Sequence, residues 1–201
     1  TISLRGMSAA LRAMDDEQAR VDTASALVAR GSLPSSHVPA PPEPPAPVAA
    51  VTLRELDPVP ALPEGIPPGN GDCTGDPGPV AFEAANGTRI FGTCAFNGAY
   101  NVGMRYWAVQ GDAVRELAFP VGAQTTDAAD TLVNAALDDN GLTLSAFEKG
   151  RGIGDCGTLS SWSFDGTAFQ LVSFSAMTDC RGVPVSDWPL LFTRDVRRAK
   201  P

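Results

Sequence analysis

The chain has 201 residues, of which 43% are hydrophobic and 19% are charged, so it can fold as one globular domain with extensions. Its formal net charge of −8 at pH 7 argues against a nucleic-acid partner, because phosphate binding requires a basic surface. No apolar run in the sequence approaches the length of a membrane span.

Residues 1–31 are predicted to form a helix followed by a strand. Ser8 would cap a helix that runs to about Arg20, because alanines and other good helix formers follow it. The segment T-A-S-A-L-V-A at 23–29 is then typical of a strand. We expect this helix-strand segment to pack on, or to complete, a domain that precedes it.

The Pro-rich stretch at residues 32–50 cannot build a core, and it predicts a polyproline II linker. A semi-rigid spacer is favoured over a ligand for an aromatic groove. Residues 51–79 are also rich in proline and are predicted to be irregular, with a short edge strand between Val51 and Leu56.

Three features that suggest catalysis or metal binding have simpler explanations. The acidic run Asp15-Asp16-Glu17 indicates a solvated helix face, because consecutive residues point in different directions on a helix. Asp138-Asp139-Asn140-Gly141 lacks the Asp spacing and the final Glu of a calcium loop, so it predicts a hairpin turn. His37 is the single histidine and lies in the linker, which argues against Ser–His and Cys–His catalysis.

Consecutive short strands are predicted from residue 80 onward. Asn86-Gly87 predicts a hairpin with a two-residue primed turn. Tyr100, Tyr106 and Trp107 are candidate binding aromatics, although aromatic residues in strands more often belong to the core. The period of D-A-A-D-T-L-V-N-A-A at 127–136 is ambiguous, and it is compatible with strands or with a short helix.

The stretch from Phe147 to Trp188 has the pattern of a β-hairpin with one cysteine near each open end. Two alternating runs flank Asp165-Gly166, a dipeptide that favours a tight hairpin turn, and Cys156 and Cys180 lie outside them. A disulfide between these cysteines would contribute roughly 3 kcal/mol in the chain-entropy model. The basic residues at 197–201 indicate a frayed, solvated tail.

Glycines at 150, 152, 154 and 157 surround Cys156. One interpretation is an anion-binding loop assisted by Arg151. The spacing is not that of a P-loop, and no helix pattern follows it. A tight or bulged connection that leads into the disulfide-linked strand is therefore favoured.

The four cysteines fall into two groups, Cys73 with Cys94 and Cys156 with Cys180. The spacing fits no zinc motif, so the even count favours disulfides and an oxidising compartment, either periplasmic or secreted. Three pairings are possible, and the sequential one is favoured. Because the first residue is Thr1, we expect a mature form or a fragment of a precursor with a signal peptide.

Five motifs together span nearly the whole chain: G-M-S-A-A-L-R-A-M-D-D-E-Q-A-R-V-D-T-A-S-A-L-V-A-R-G at 6–31, C-A-F-N-G-A-Y-N at 94–101, K-G-R-G-I-G-D-C-G at 149–157, M-T-D-C-R-G at 177–182 and D-W-P at 187–189. In this order they resemble the domain-of-unknown-function 1176 family (DUF1176) of exported bacterial proteins. Ala19 and Asp22 depart from the family, which often has glycine at these two turn positions. The resemblance implies a further N-terminal region, and it carries over no activity or catalytic residue.

The predicted fold is mainly β: an antiparallel sandwich or small barrel over residues 51–196, preceded by the helix-strand segment and the Pro-rich linker. The favoured function is a non-catalytic binding module of the cell envelope with no cofactor, no metal and an unidentified envelope or periplasmic partner. The candidate ligand-binding residues are Tyr100, Asn101, Arg151, Asp155 and Arg181.

Two alternative functions remain open. One is inhibition of a hydrolase by a rigid loop, either Gly150–Gly157 or Asn97–Asn101. The other is a glycan hydrolase that uses carboxylates alone, with Asp155 and Asp179 as the candidate pair. Thiol–disulfide exchange is disfavoured because the sequence has no C-x-x-C motif.

Overall fold

The structure is a computed structural model that describes residues 6–70, 73, 77–122 and 127–200. It contains two compact units, Thr1–Pro44 (the N-terminal unit) and Pro45–Pro201 (the β unit). The elements are α1 (Met7–Glu17), β1 (Val48–Ala50), β2 (Leu53–Glu55), β3 (Val80–Ala84), β4 (Arg89–Asn97), β5 (Val102–Gln110), β6 (Ala113–Glu116), β7 (Phe119–Pro120), β8 (Ala128–Ala129), β9 (Thr131–Val133), β10 (Ala136–Leu137), β11 (Leu144–Lys149), β12 (Gly157–Phe164), β13 (Phe169–Met177), β14 (Leu190–Thr193) and β15 (Val196–Arg198), with short 3-10 helices at Ser35–His37 and Val185–Asp187.

In the N-terminal unit, helix α1 forms as predicted, but its capping residue is Gly6 and Ser8 lies inside the helix. The prediction of a strand at 23–29 is wrong. Thr23 makes one isolated parallel bridge with Leu33, and the following backbone N–H groups donate elsewhere. The strand is absent because a carboxylate of the helix captures the N–H groups that a strand would use in a ladder.

That carboxylate belongs to Asp15, which is buried rather than solvated. Its oxygens accept the Leu27 N–H at 2.8 Å and the Val28 N–H at 3.2 Å, and the Arg20 guanidinium lies 3.5 Å away. The prediction of a solvated face is therefore wrong for Asp15. The chain after the helix turns back, so that Leu27 and Val28 contact Asp15. The periodicity of the helix cannot predict a contact with residues outside the helix.

The turn that carries the chain back has left-handed backbone at both positions where the family often has glycine. Ala19 has φ +52° and Asp22 has φ +61°. Residues with a Cβ are strained in this region, whereas glycine is not. We expect Ala19→Gly and Asp22→Gly each to stabilise the N-terminal unit by about 0.5–1 kcal/mol, because the relief of strain exceeds the added chain entropy of glycine.

Amide hydrogen exchange at Leu27, whose N–H donates to Asp15, should then slow by about two- to fivefold. Ala13→Gly is the matched control, because Ala13 lies within α1 and the same change there should speed exchange. Faster exchange in the two turn variants would contradict the expectation.

The β unit contains two large antiparallel sheets, which confirms the mainly β prediction. The first has the strand order β2-β3-β4-β5-β6, with β9 also paired to β5, and the second has the order β10-β11-β12-β13-β14. The described strands do not close into a barrel. A core of residues from both sheets holds them together, and its largest fully buried side chains include Ile90, Tyr106, Phe119, Leu132, Leu144, Phe164 and Phe169.

The irregular Pro-rich stretch before β3 has a structural role in this unit. Its edge strand forms as β2, and Ile66 joins a second core on the first sheet with Phe91 and Trp107. Trp107 and Tyr106 are 5% and 2% exposed, so both aromatics belong to cores, as residue statistics favoured. The proline segment therefore covers one face of the first sheet.

Two predicted turns differ in geometry from the structure. The Ala84 N–H donates to the Thr88 carbonyl, so the loop at Asn86-Gly87 has three residues rather than two. At the β12–β13 turn the Asp165 N–H donates to the Ala168 carbonyl at 3.0 Å, so the two central residues are Gly166 and Thr167 rather than Asp165 and Gly166. Asp165 Oδ1 accepts the Thr167 and Ala168 N–H groups at 2.8 Å. In each loop the glycine alone has positive φ, whereas a primed Asx-Gly turn requires it at both central residues.

The hairpin turn predicted at Asp138–Gly141 is confirmed, since Asp138 Oδ1 accepts two backbone N–H groups of its own loop. The helix alternative at 127–136 is wrong, because that segment contains β8, β9 and the start of β10. The prediction of a frayed tail is wrong for Arg197 and Arg198, which pair in parallel with Ala49 and Ala50. Val48 and Ala50 are buried, whereas Ala49 between them is exposed. The β1–β15 pair therefore joins a strand from the start of the β unit to a strand from its end.

Candidate functional site

Both sequential disulfides are present, Cys73–Cys94 and Cys156–Cys180, so all four cysteines are bonded. Cys156–Cys180 closes the β12–β13 hairpin beside the Gly157–Met177 pair, as predicted. It joins two surface segments, residues 150–156 and 178–182, which we call the stapled loop pair. The five predicted ligand-binding residues lie in or beside this pair.

Glycine is required where the first loop enters β12. Gly157 has φ +133°, and a Cβ there would lie 2.0 Å from the Glu148 carbonyl oxygen. Gly154 has φ +67° and packs on the Phe147 ring. These glycines make a tight connection in which the Gly150 N–H donates to the Cys156 carbonyl at 2.8 Å, so the interpretation as a compact turn explains them.

An ion pair between a half-exposed arginine and a buried aspartate holds the two loops together. Arg151 Nε donates to Asp155 Oδ1 at 2.7 Å and Arg151 Nη2 donates to Asp155 Oδ2 at 2.5 Å, a bidentate geometry. Arg151 also donates to the Cys180 carbonyl at 3.1 Å, and Asp155 accepts the Gly182 N–H at 2.5 Å. Arg151 and Asp155 therefore connect the same two segments that the disulfide connects.

These contacts make Asp155 a poor acid or base. The Arg151 guanidinium lowers the pKa of Asp155 to about 2, despite a burial that acts in the opposite direction. The same pairing raises the pKa of Arg151. A glycosidase acid needs a raised pKa. Asp155 also lies within 4.8 Å of the two cysteine sulfurs, but these are bonded to each other and offer no thiolate to a metal.

The outer surface of the loop pair combines an exposed apolar residue with two cations. Ile153 at the tip of the first loop is 75% exposed. The Arg181 side chain is 78% exposed and faces Asp179 across 3.6 Å, while Arg151 is half-exposed. Tyr100 is 42% exposed and close to Gly152, whose Cβ would lie 3.5 Å from its ring.

Asn101 has a different environment from the other four residues. Its amide donates to the Lys149 carbonyl at 2.9 Å and accepts the Lys149 N–H at 3.1 Å, as a neighbouring strand would. Asn134, which the sequence did not single out, donates to Asn101 Oδ1 at 3.0 Å. It also donates to the Tyr100 and Phe147 carbonyls and accepts the Val102 N–H. Asn134 thus connects the chain at Tyr100–Val102 to strand β11, which leads into the first loop of the pair.

The signal for Asn134 was local but weak. It has φ +49°, a left-handed conformation that asparagine tolerates better than most residues. An asparagine between two short β-type runs is compatible with a chain reversal. Its hydrogen-bond partners lie 13 to 34 residues away, which no local pattern reveals.

Comparison with known proteins assigns a family to this chain. The family described as "Protein of unknown function (DUF1176)" matches residues 1–195. The chain belongs to this family. It is 32% identical over 217 aligned positions to "Uncharacterized protein YpfG" of Escherichia coli strain K12.

The alignment to this relative covers 96% of the chain and 59% of the relative, so the chain spans about three-fifths of the protein it matches. No solved structure matches the chain. Among the described residues, no helix is both long and apolar enough to cross a membrane.

The pairing in the stapled loop pair predicts a pH dependence. The pKa of Asp155 in the folded protein is lowered to about 2. The contribution of its carboxylate to folding stability is therefore fully present above about pH 4 and is lost as the pH falls through about 2. The NMR shift of the Gly182 amide, which donates to Asp155, should titrate with a midpoint of about 2.

Two variants control this titration. Arg151→Gln should raise the midpoint toward the ordinary Asp value, because it removes the largest cause of the lowered pKa. Asp155→Asn should abolish the titration. A native midpoint at or above pH 4 would show that the ion pair does not form in solution.

Proposed function

We propose that the protein is an exported, non-catalytic binding module that recognises a protein partner through the stapled loop pair. The observation that carries the proposal is an exposed Ile153 on a loop held by both a disulfide and the Arg151–Asp155 pair. A loop fixed in this way loses little conformational entropy on binding, so more of the contact energy becomes affinity.

The surface chemistry indicates the kind of partner. Ile153 supplies an apolar anchor and Tyr100 supplies a half-exposed aromatic ring. The guanidinium groups of Arg151 and Arg181 remain 48% and 78% exposed, although each faces a carboxylate of the loop pair. Anchors of this type dominate binding energies at protein interfaces. The complementary surface is an apolar pocket with carboxylates at its rim.

The glycan-hydrolase alternative receives no support from these residues. Both oxygens of Asp155 are occupied by Arg151 and Gly182, and its pKa of about 2 is opposite to that of a general acid. Inhibition of a hydrolase is a special case of the proposal. It applies if the partner is an enzyme whose cleft accepts the loop.

A photo-crosslinking amino acid at position 153, introduced into the full chain in its native host, tests the proposal. The matched control places the same amino acid at position 190, because Leu190 is 61% exposed on β14 and lies outside the loop pair. We expect a discrete crosslinked protein from position 153 and none from position 190. Identical patterns from both positions would rule out the loop pair as the binding site.

The purified partner then allows affinities to be compared. Ile153→Ser should weaken binding at least tenfold, whereas Leu190→Ser should leave it unchanged. Asp155→Asn should also weaken binding, because it weakens the contacts to Arg151 and Gly182 that fix the orientation of the loops, while the disulfide and the exposed anchors stay in place. Equal affinities of Ile153→Ser and the native chain would contradict the proposal.

The compartment is part of the proposal. All four cysteines are paired, and such bonds persist in oxidising surroundings such as the periplasm or the extracellular space. Alkylation of intact, acid-quenched cells should find no free thiol on the chain. Reduced cysteines in the native host would overturn the proposed export.

A further inference from the structure

A cleft of about 610 Å³ lies in the β unit, and none of the described residues that line it belongs to the stapled loop pair. Strands β3 and β5 line it through Phe82, Met104 and Tyr106, all of which belong to the core between the sheets. The start of β10 lines it through Ala136 and Leu137. Its volume is within the range of about 300–1,000 Å³ that is usual for small-molecule sites.

The lining determines which molecules the cleft can accept. Most of it is apolar, and none of the described residues that line it is Lys or Arg. Among the described lining residues the charged one is Glu55, an exposed carboxylate on β2. A negatively charged ligand would therefore lose its hydration without gaining a cation.

The Tyr106 hydroxyl provides a second, independent observation. Tyr106 is 2% exposed, its ring meets Phe119 edge to face at 5.7 Å, and no described residue makes a hydrogen bond to its hydroxyl. Two of the buried tryptophans, by contrast, have carbonyl partners: Trp162 donates to the Pro120 carbonyl at 2.8 Å and Trp188 to the Val183 carbonyl at 3.0 Å. The hydroxyl is not one of the fully enclosed polar atoms that lack a partner, so it is open to the cleft, where a ligand oxygen can accept its hydrogen bond.

Burial also raises the pKa of Tyr106 well above its ordinary value. The phenol therefore stays protonated at physiological pH and acts as a donor. Its ring packs on the backbone of β4, where it occupies the space that a Cβ at Gly92 would need, at 2.7 Å from Tyr106 Cε1. The position of the hydroxyl is thus fixed by the packing of the first sheet.

We propose that this cleft binds an uncharged amphiphile whose apolar chain lies against Phe82, Met104 and Leu137 and whose oxygen accepts a hydrogen bond from Tyr106. The inference is independent of the function proposed for the stapled loop pair. Either could be correct without the other, because the cleft and the loop pair have different residues and different ligands.

The first test uses diphenylhexatriene, an uncharged hydrocarbon dye, with the 201-residue chain. We expect saturable binding of one dye per chain. Ala136→Trp should weaken binding at least tenfold, because Ala136 is exposed at the cleft and a larger side chain there fills it. Ala113→Trp is the matched control, since Ala113 is an exposed strand residue outside the cleft, and it should bind like the native chain. Absence of saturable binding, or native binding by Ala136→Trp, would overturn the proposal.

The second test determines the ligand class by competition against the same dye. Decan-1-ol should compete at least tenfold better than decanoate at pH 8, because the cleft offers the carboxylate no cation. Equal competition by decanoate would overturn the assignment to uncharged ligands. In Tyr106→Phe, the dye should bind as in the native chain while competition by decan-1-ol weakens about fivefold. Unchanged competition by decan-1-ol would remove the role of the hydroxyl, and lost dye binding would show that the cleft itself depends on it.

Discussion

Asn134→Asp is expected to destabilise the β unit by about 3 kcal/mol at pH 7, although the two side chains have almost the same shape. In the native chain Asn134 Nδ2 donates to the Phe147 carbonyl at 2.9 Å, to Asn101 Oδ1 at 3.0 Å and to the Tyr100 carbonyl at 3.1 Å. The substitution places a carboxylate oxygen against three acceptors. Urea unfolding with the disulfides intact measures the loss.

Two comparisons isolate the cause of this loss. Asn134→Gly relieves the left-handed backbone at φ +49° and still removes the amide, so it should also be destabilising. Asn140→Asp introduces the same chemical change in an exposed loop, and it should alter stability by less than about 0.5 kcal/mol. The cost of Asn134→Asp should shrink at acidic pH, because a protonated carboxyl can donate again. A pH-independent cost would contradict this account.

The strands and disulfides could be predicted from the sequence because their signals are local. Alternating residues with turn residues between them place β3 and β4, and β12 and β13, next to each other along the chain. Pairing of β12 with β13 brings Cys156 and Cys180 together at the open end of that hairpin. The same reasoning placed Tyr106 and Trp107 in strands, and their burial follows from residue type.

The wrong predictions have a common physical origin: the environment of each residue is determined by contacts with residues that are distant in the sequence. Asp15 has the sequence context of a solvated helix face, yet it accepts N–H groups 12 and 13 residues away. Arg197 was assigned to a frayed tail, yet it pairs with Ala49 near the opposite end of the unit. The cleft beside Tyr106 likewise depends on β3, β5 and β10 meeting, which no single stretch encodes.

Gly141→Ala is expected to cost the β unit about 3 kcal/mol or more, with a fall in Tm of roughly 6–12 °C. Gly141 has φ +68° and is buried in the loop between β10 and β11. Its carbonyl accepts the Leu53 N–H at 2.7 Å, and a Cβ would lie 2.0 Å from the Leu53 carbonyl oxygen. The collision is with backbone, so a rotamer change cannot relieve it, and the loop must leave β2.

Gly87→Ala separates the two contributions to this cost. Gly87 has φ +84° in the β3–β4 loop, and no atom lies within 4 Å of where its Cβ would stand. This control therefore reports left-handed strain alone, about 1–2 kcal/mol. The excess for Gly141→Ala measures the contact between the β10–β11 loop and β2, which links the two large sheets. Since β10 and β2 also line the cleft, the same variant should lose diphenylhexatriene binding, whereas Gly87→Ala should keep it. Equal destabilisation by the two variants would mean that this contact does not hold the sheets together.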